Sequence, residues 1–220
     1  MAENIHVEIM RFDPKTDPEP VRRVYSVRNE KKNTVLGALL TIREHEDSTL
    51  AFRYGCRCKH CGLCAVRVDG LPKMACRTYV RNGMLIEPLG KLPVLRDLVT
   101  EREGLLTIYK KHGVFLEEGA DSDVPLREDG MGTSLKRCLD CLACFSTCCN
   151  YEHGNAGFMG PYFFVKTAQL LFDPRDRQDR RAQAKAMGIE KCRTCSHNCY
   201  CINGIDIYRH AIMKLLGNDV

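Results

Sequence analysis

The sequence predicts an α+β protein in two parts, a mixed α and β half followed by a helical half. Two observations predict this division. The 14 cysteines fall in two territories, 56–76 and 138–201, and the 61 residues between them contain none. The hydrophobic pattern also changes, from short runs that alternate with period two to longer runs with helical spacing. We therefore predict one domain over 1–104 and a second over 105–220.

The first half is predicted to contain short strands and one helix. The segment IHVEIMRF alternates apolar and polar residues and is followed, after a proline-rich turn, by RRVYSV. Together these segments predict a β-hairpin. The segment NTVLGALLTIREH carries an apolar stripe and predicts a helix, with Asn33 as its N-cap. LAFRYG, CAVRVDG and MACRTYV predict short strands around a loop.

The second half has helical spacing in four segments, near 91–117, 133–149, 161–172 and 204–217. Pro161 suits the first turn of a helix. No apolar run approaches the roughly 18–20 residues that span a bilayer, so PYFFVKTAQLLF predicts a helix with a buried face. The charge run DPRDRQDRRAQAK predicts a solvated connection.

The first cysteine territory has the spacing Cys56-x4-Cys61-x2-Cys64-x11-Cys76, which is typical of plant-type [2Fe–2S] sites. Two tetrahedral irons need four thiolates that converge from both sides of a flat cluster. A tight loop supplies three of these thiolates and a returning strand supplies the fourth. Zinc is the alternative, because two pairs of cysteines also bind Zn²⁺. The x4 spacing favours the iron–sulfur cluster, and Cys58 receives no ligand role.

The second territory contains an internal repeat. RCLDCLACFSTCC carries the run C-x2-C-x2-C-x3-C of bacterial ferredoxins, which begins at Cys138 and ends at Cys148. A shift of 51 residues superposes the last three cysteines of this run on those at the matching spacing in KCRTCSHNCYC. The first position of the repeat falls on Ile189. The repeat therefore predicts two further clusters, one of which lacks a thiolate.

The ligands of these two clusters follow from the crossing rule of two-cluster ferredoxins, in which the fourth cysteine of each run binds the other cluster. Three thiolates suit a [3Fe–4S] cluster. A second [4Fe–4S] cluster is the alternative, with Cys201, Cys149, His197 or a solvent molecule as the extra ligand. The rule assigns Cys138, Cys141, Cys144 and Cys199 to a [4Fe–4S] cluster, and Cys148, Cys192 and Cys195 to the third cluster.

Charge and compartment agree with bound clusters. The first residues lack the basic and then apolar pattern of a secretory signal, so we expect a reducing compartment, where clustered thiols more often bind metals than form disulfides. The formal net charge is +5. Each oxidised cluster with its thiolates carries about −2, so three clusters bring the net charge to about −1. We therefore expect no nucleic-acid partner.

The segments IMRFDPKTDPEP, TVLGALLTIREHEDSTLAFRYGCR, CGLCAVRVDG, IEPLGKLPVLRDLV and GPYFFVKTAQLLFDPRD resemble, in order, stretches of the iron–sulfur subunit of the succinate dehydrogenase and fumarate reductase family. The resemblance implies a β-grasp [2Fe–2S] domain followed by a helical domain with [4Fe–4S] and [3Fe–4S] clusters. It implies a subunit without catalytic residues that relays electrons between FAD on a catalytic subunit and a quinone or other acceptor at a membrane anchor. It further implies a peripheral position on the cytoplasmic side of the inner membrane, held there by partner subunits.

Departures from the family pattern concern the acceptor end. Glu152 and His153 occupy the positions where quinone-reducing members carry a tryptophan pair, and the chain contains no tryptophan. These two residues are the acceptor-side candidates. Lys59 replaces a glycine that is usual in the first loop. Two alternatives stay open: a subunit of another flavoprotein oxidoreductase with a non-quinone acceptor, using thiol/disulfide or acyl-CoA-derived chemistry, and a zinc-stabilised interaction module.

Overall fold

The structure is a computed structural model with two compact units, and the α+β class predicted from the sequence is confirmed. The first unit comprises Met1–Glu101 with Leu139–Ser146, and the second comprises Arg102–Cys138 with Thr147–Val220. The domain boundary at 104/105 stays a prediction. The structure describes residues 4–28, 32–117, 130–195 and 199–217.

The first unit is built on a mixed five-stranded sheet. Its strands are β1 (Asn4–Arg11), β2 (Val21–Arg28), β3 (Ala65–Val68), β4 (Leu71–Met74) and β5 (Met84–Glu87). The strand order is β2-β1-β5-β3-β4, with β1 and β5 parallel and the other neighbours antiparallel. The hairpin predicted from IHVEIMRF and RRVYSV is present as β1 and β2.

The predicted first helix is present as α1 (Val35–His45), but its N-cap is Thr34 and not Asn33. The Thr34 hydroxyl accepts a hydrogen bond of 3.1 Å from the Gly37 N–H, which satisfies one of the unpaired donors at the helix start. The apolar face of α1, which includes Leu39 and Ile42, is buried. Burial of this face, at helical spacing, is the main reason that the segment is helical.

Three other predictions for this unit are corrected by the structure. LAFRYG contains no strand, and Ala75–Arg77 within MACRTYV forms a 3-10 turn. The start of the predicted helical segment 91–117 is instead a short hairpin of β6 (Val94–Arg96) and β7 (Val99–Thr100). Asp97 adopts a left-handed φ of 45° at its turn, which a helix interior does not permit.

A buried network of charged groups stabilises the first unit around Arg11. Its guanidinium donates hydrogen bonds to Asp97 Oδ1 at 2.9 Å, to the Tyr25 hydroxyl at 2.5 Å and to Asp47. A further bond of 2.9 Å reaches Thr49 Oγ1. Burial by itself would raise the pKa of Asp47, but hydrogen bonds from these hydroxyl and guanidinium neighbours outweigh it and hold that pKa well below its usual range.

The second half of the chain is helical, as predicted, although the helices are shorter than the predicted segments. No described helix combines the length and the apolarity needed to cross a bilayer. Pro161 begins its helix, as its sequence position predicts. The helices are α2 (Gly104–His112), α3 (Gly130–Lys136), α4 (Ala143–Thr147), α5 (Pro161–Leu171), α6 (Arg180–Ala186) and α7 (Met213–Leu215), with a 3-10 turn at Ile189–Cys192 and a π-helical segment at Tyr208–Ile212.

The prediction that the charge run DPRDRQDRRAQAK is a solvated connection is wrong for its second part, which forms α6. Arg180 is only 1% exposed. Its guanidinium pairs with Asp176 Oδ2 at 2.6 Å and donates to the carbonyl oxygens of Gly113 and Phe115, both at 2.8 Å. Those carbonyls follow the end of α2, where they lack helical partners. Arg180 therefore has a structural role that the charge pattern of the sequence did not predict.

Candidate iron–sulfur sites

The first thiol site is a loop after Tyr54 whose backbone amides surround one sulfur atom. Cys56 Sγ accepts hydrogen bonds from the N–H groups of Cys58 at 3.4 Å, His60 at 3.2 Å and Cys61 at 3.3 Å. Arg57 and Lys59 have left-handed φ values of 60° and 66°, and this alternation turns successive N–H groups to one side. The loop is therefore shaped to stabilise negative charge on sulfur.

The protonation of these thiols differs with their surroundings. Backbone N–H groups, of Cys58 first and then of Cys61 and His60, lower the pKa of Cys56 to about 6. Burial raises the pKa of Cys64 to about 12, with further contributions from the neighbouring Cys76 and Cys61. The four predicted ligands therefore lie together at one site. A thiolate is the metal-binding form of cysteine, and metal loading releases the protons of the buried thiols.

Cys58 also lies at this site. Its pKa is raised by a hydrogen bond to Cys56, by burial and by the charges of Cys56 and Cys76. Two of the four predicted ligands are positioned by regular secondary structure. Cys64 directly precedes β3, and Cys76 lies in the 3-10 turn after β4. The hydrogen bond from Ala75 N to Cys64 O, at 3.0 Å, holds these two cysteines close together.

The left-handed conformation of Lys59 explains why a glycine is usual at this position in the family that the chain resembles. A left-handed φ costs a non-glycine residue about 1–2 kcal/mol, and the flexibility of glycine in the unfolded chain offsets about half of that. We therefore expect Lys59→Gly to raise the thermal midpoint of the anaerobic protein by about 1–4 °C. Lys73→Gly, in strand β4, is the control and should lower it. A lower midpoint for Lys59→Gly would contradict the expectation.

The segment Leu139–Ser146, which carries Cys141 and Cys144, belongs to the first unit. Its backbone meets the first thiol loop at Gly62, where an added Cβ would lie 2.0 Å from the Leu139 carbonyl oxygen and 3.1 Å from Cys141 N. A further hydrogen bond of 2.9 Å runs from Gly90 N to Ser146 Oγ. The two thiol-bearing segments are therefore in direct backbone contact.

This second segment repeats the backbone device of the first loop. Asp140 and Leu142 have left-handed φ values of 53° and 64°, again two residues apart and between cysteines. Leu142 is buried and α4 begins at the next residue. This alternation of left-handed residues is the one that forms concave arrangements of N–H groups able to bind anions.

The third thiol group lies within the second unit. Burial raises the pKa of Cys192 to about 12, and the charges of Cys199, Cys148, Cys195 and Cys149 raise it further. Burial likewise raises the pKa of Cys199 to about 12, followed by the charges of Cys148, Cys195 and Cys149. These five thiols are therefore neighbours, and the group includes the three predicted ligands of the third cluster.

Cys149 makes a direct thiol–thiol contact within this group. Its Sγ lies 3.4 Å from Cys195 Sγ, across 46 residues of sequence. From the sequence, Cys149 was one of several alternative extra ligands of the third cluster. Its position directly after Cys148 was the available signal, because a residue adjacent to a ligand lies near the site.

Hydrogen bonds and one close backbone contact hold the two halves of this third thiol group together. The side-chain amide of Asn150 donates a hydrogen bond of 3.2 Å to the Lys191 carbonyl, and Met159 N donates one of 3.0 Å to Met187 O. Gly188 has a φ of 85°, and a Cβ there would lie 2.2 Å from the Gly157 carbonyl oxygen. The segments that carry Cys148 and Cys192 are therefore fixed side by side.

The remaining predicted site residues are placed as follows. Glu152 and His153 are exposed in the segment that follows Cys149. Cys138 lies in the second unit, as does Cys199, whereas Cys141 and Cys144 lie in the first, so their assignment to one [4Fe–4S] cluster stays a prediction. His197 lies outside the described residues. Ile189, at the vacated repeat position, is fully buried.

The predicted donor sets consist of cysteines, the residues whose thiolates bind iron–sulfur clusters. Among the described residues, no group of three or more His, Cys, Asp or Glu side chains is placed to hold a single metal ion. An iron–sulfur cluster spreads its thiolates over several irons, and its sulfur atoms accept hydrogen bonds from the backbone. All-cysteine groups, with N–H donors directed at Cys56 Sγ, are suited to that arrangement.

Known proteins resemble this chain in sequence and in fold. Residues 6–107 match the family described as a 2Fe-2S iron-sulfur cluster binding domain. The chain is 30% identical to the fumarate reductase iron-sulfur subunit of Mycobacterium tuberculosis, over 98% of each protein. It is 33% identical to a fumarate reductase (CoM/CoB) subunit of Methanothermobacter marburgensis, over 96% of this chain and 43% of that protein.

The structural comparison agrees in fold. A chain of the Mycobacterium smegmatis Sdh1 complex in the apo form superposes with a TM-score of 0.80 at 22% identity, over 98% of this chain and 95% of that one. The chain spans less than half the length of three methanogen relatives that it matches, at 43%, 38% and 38%. It spans nearly all of the mycobacterial subunits.

Proposed function

Because the chain belongs to the family of iron–sulfur subunits of succinate dehydrogenases and fumarate reductases, we propose that it relays electrons through three clusters. The electrons pass between FAD on a partner catalytic subunit and an acceptor at a membrane anchor. When bound, each cluster is a one-electron carrier. The chain supplies the ligands of the clusters and sets the distances between them. The subunit itself contributes no catalytic residue, and it associates with the cytoplasmic side of the inner membrane through its partners.

The observation that carries this proposal is the contact between the first thiol loop and the segment of Cys141. Electrons move between clusters only over short distances, so two cluster sites must lie close together. The close approach of Gly62 to the Leu139 carbonyl brings the backbones of the two segments into contact. A glycine is the one residue that permits this approach without a clash.

The ligands are proposed as the sequence assigned them. The N–H groups at Cys56 hold a thiolate for the [2Fe–2S] cluster, and the buried Cys64 and Cys76 exclude water from its inner side. Hydrogen bonds to sulfur and limited exposure tune the reduction potentials of such clusters. The proposed sets are Cys56, Cys61, Cys64 and Cys76 for [2Fe–2S]; Cys138, Cys141, Cys144 and Cys199 for [4Fe–4S]; and Cys148, Cys192 and Cys195 for the third cluster.

Anaerobic purification with metal analysis tests the proposal directly. We expect a brown protein with about nine or ten irons per chain, for clusters of two, four and three or four irons. A flavoprotein subunit should co-purify when the chain is isolated from its native cells under mild conditions. A preparation that holds zinc alone, with no visible charge-transfer absorption, would contradict the relay and favour a zinc-stabilised interaction module.

Paired cysteine variants test the first ligand set. We expect Cys61→Ala to remove the [2Fe–2S] signal from the EPR spectrum of the reduced protein, because one iron loses a thiolate, and to lower the iron content by about two. Cys58→Ala, in the same loop, is the control and should keep both. Loss of the signal in Cys58→Ala but not in Cys61→Ala would show that Cys58, and not Cys61, is the ligand.

A second candidate function changes the acceptor. One relative is named for CoM/CoB, and Glu152 and His153 stand where quinone-reducing members carry tryptophans. These observations favour a subunit that delivers electrons to a thiol/disulfide partner. Acyl-CoA-derived chemistry on the flavoprotein is the other form of this alternative. The reduced protein should then be reoxidised by a soluble disulfide faster than by a water-soluble quinone, and the opposite order would favour the quinone.

A further inference from the structure

The third thiol group contains more sulfur than a three-iron cluster needs. Cys148, Cys192 and Cys195 are enough for [3Fe–4S], and Cys199 is assigned to the neighbouring cluster. Cys149 then remains as an additional thiol, and its Sγ lies 3.4 Å from Cys195 Sγ. A fourth thiol at the site distinguishes a [4Fe–4S] cluster, which binds four thiolates, from a [3Fe–4S] cluster, which binds three.

The contact between Cys149 and Cys195 places a further thiol directly beside a predicted ligand of the third cluster. Each iron of a [4Fe–4S] cluster takes one cysteine sulfur. The two sulfur atoms would therefore bind different irons of the loaded cluster, and they would move apart as the cluster enters.

Other candidates for the extra ligand are less well placed. Ile189 occupies the vacated position of the repeat, is fully buried and carries no ligating atom. Cys201 is half-buried, and within the described part of the chain its thiol makes no hydrogen bond to another thiol. Cys149 is covalently next to Cys148, and its successor Asn150 is bonded to the Lys191 carbonyl.

We propose that Cys149 is the fourth protein ligand of the third cluster, and that this cluster is therefore [4Fe–4S]. The proposal rests on the proposed function, because it presumes that clusters are bound. With a thiolate on each iron, the cluster has no open coordination position. It then transfers electrons without binding a substrate of its own.

Low-temperature EPR of the oxidised, anaerobically prepared protein tests this assignment. An oxidised [3Fe–4S] cluster is paramagnetic, whereas the oxidised [2Fe–2S] and [4Fe–4S] clusters expected here are not. We expect no [3Fe–4S] signal from the unmodified protein. Cys149→Ala should produce that signal and lose about one iron per chain, because the fourth iron loses its protein ligand. Cys201→Ala is the control and should resemble the unmodified protein.

Alkylation of the unmodified protein provides a second test that needs no variant. Cys58 and Cys149 are both exposed, so burial does not distinguish them. In the loaded protein, iodoacetamide should modify Cys58 and spare Cys149, because a metal-bound thiolate reacts slowly. After removal of iron with a chelator, both should react. Peptide mass spectrometry measures the two sites in one sample.

Several results would overturn the assignment and leave the relay intact. These are a full [3Fe–4S] signal in the unmodified protein, a signal that appears in Cys201→Ala but not in Cys149→Ala, and alkylation of Cys149 as fast as that of Cys58. A Cys149–Cys195 disulfide in the iron-loaded protein would also overturn it. A protein that binds no iron at all would instead refute the proposed function.

Discussion

Replacement of Asp97 by alanine is expected to lower the free energy of unfolding by about 3–5 kcal/mol, the cost of leaving a buried charge without its partner. Asp97 is 2% exposed and accepts hydrogen bonds from Arg11 Nε at 2.9 Å, Phe12 N at 2.9 Å and Ala51 N at 2.8 Å. Its removal leaves the buried guanidinium of Arg11 without one of its two carboxylates and two backbone donors without an acceptor. Water does not easily replace these groups in the interior.

The denaturant midpoint of the anaerobic protein measures this effect. Unfolding is followed by the loss of visible absorption from the [2Fe–2S] site. The matched control breaks an ion pair of the same type at the surface, in Arg81→Ala. Arg81 pairs with Asp69, but its side chain is 63% exposed, so we expect a change of about 0–1 kcal/mol. Equal midpoints for the two variants would contradict the importance of the buried network.

Gly62→Ala is expected to disturb the junction between the first two thiol segments. The new Cβ would lie 2.0 Å from the Leu139 carbonyl oxygen, so the segment that carries Cys141 must move. Overpacking of this kind costs about 1–3 kcal/mol, and the left-handed φ of 68° adds about 1–2 kcal/mol for any non-glycine residue. We expect the [2Fe–2S] cluster to remain and the [4Fe–4S] content to fall.

Gly70→Ala separates the two contributions to that loss. Gly70 has a φ of 81°, but nothing lies within 4 Å of an added Cβ, so this variant has the backbone strain without the clash. We expect it to keep every cluster and to lose about 0.5–1 kcal/mol of stability, because the flexibility of glycine in the unfolded chain offsets about half of the strain. EPR of both clusters after stepwise reduction makes the comparison. A normal [4Fe–4S] signal in Gly62→Ala would show that the contact is not required for cluster binding.

Much of the fold was predictable because its determinants are local. The alternation of Ile5, Val7 and Ile9 predicted the first hairpin, and the apolar stripe of α1 predicted its helix, since burial of one face decides such elements. The spacing from Cys56 to Cys76 predicted a single thiol site, and the structure places those thiols together. The α+β class and the family are confirmed, while the ligand sets remain predictions.

Other predictions failed where distant residues decide local structure. The charge run around Arg180 was expected to be solvated, but the carbonyls after α2 and the carboxylate of Asp176 satisfy a buried guanidinium. Asn33 and Thr34 are both suitable caps by residue type, and the position of the helix start decides between them. The segment 91–100 has helical spacing, yet Asp97 draws it into a hairpin through its bonds to Phe12 and Ala51.

The sequence by itself determined that the chain presents three groups of cysteines and belongs to an electron-transferring family, because ligand spacing within a loop is a property of neighbouring residues. Only the tertiary structure decided that Gly62 meets Leu139 and that Cys149 meets Cys195. These pairs are separated by dozens of residues, and no periodicity links their members. The first pair meets through its backbone and the second through its side chains, and both contacts form only when distant loops pack together, which depends on the whole fold.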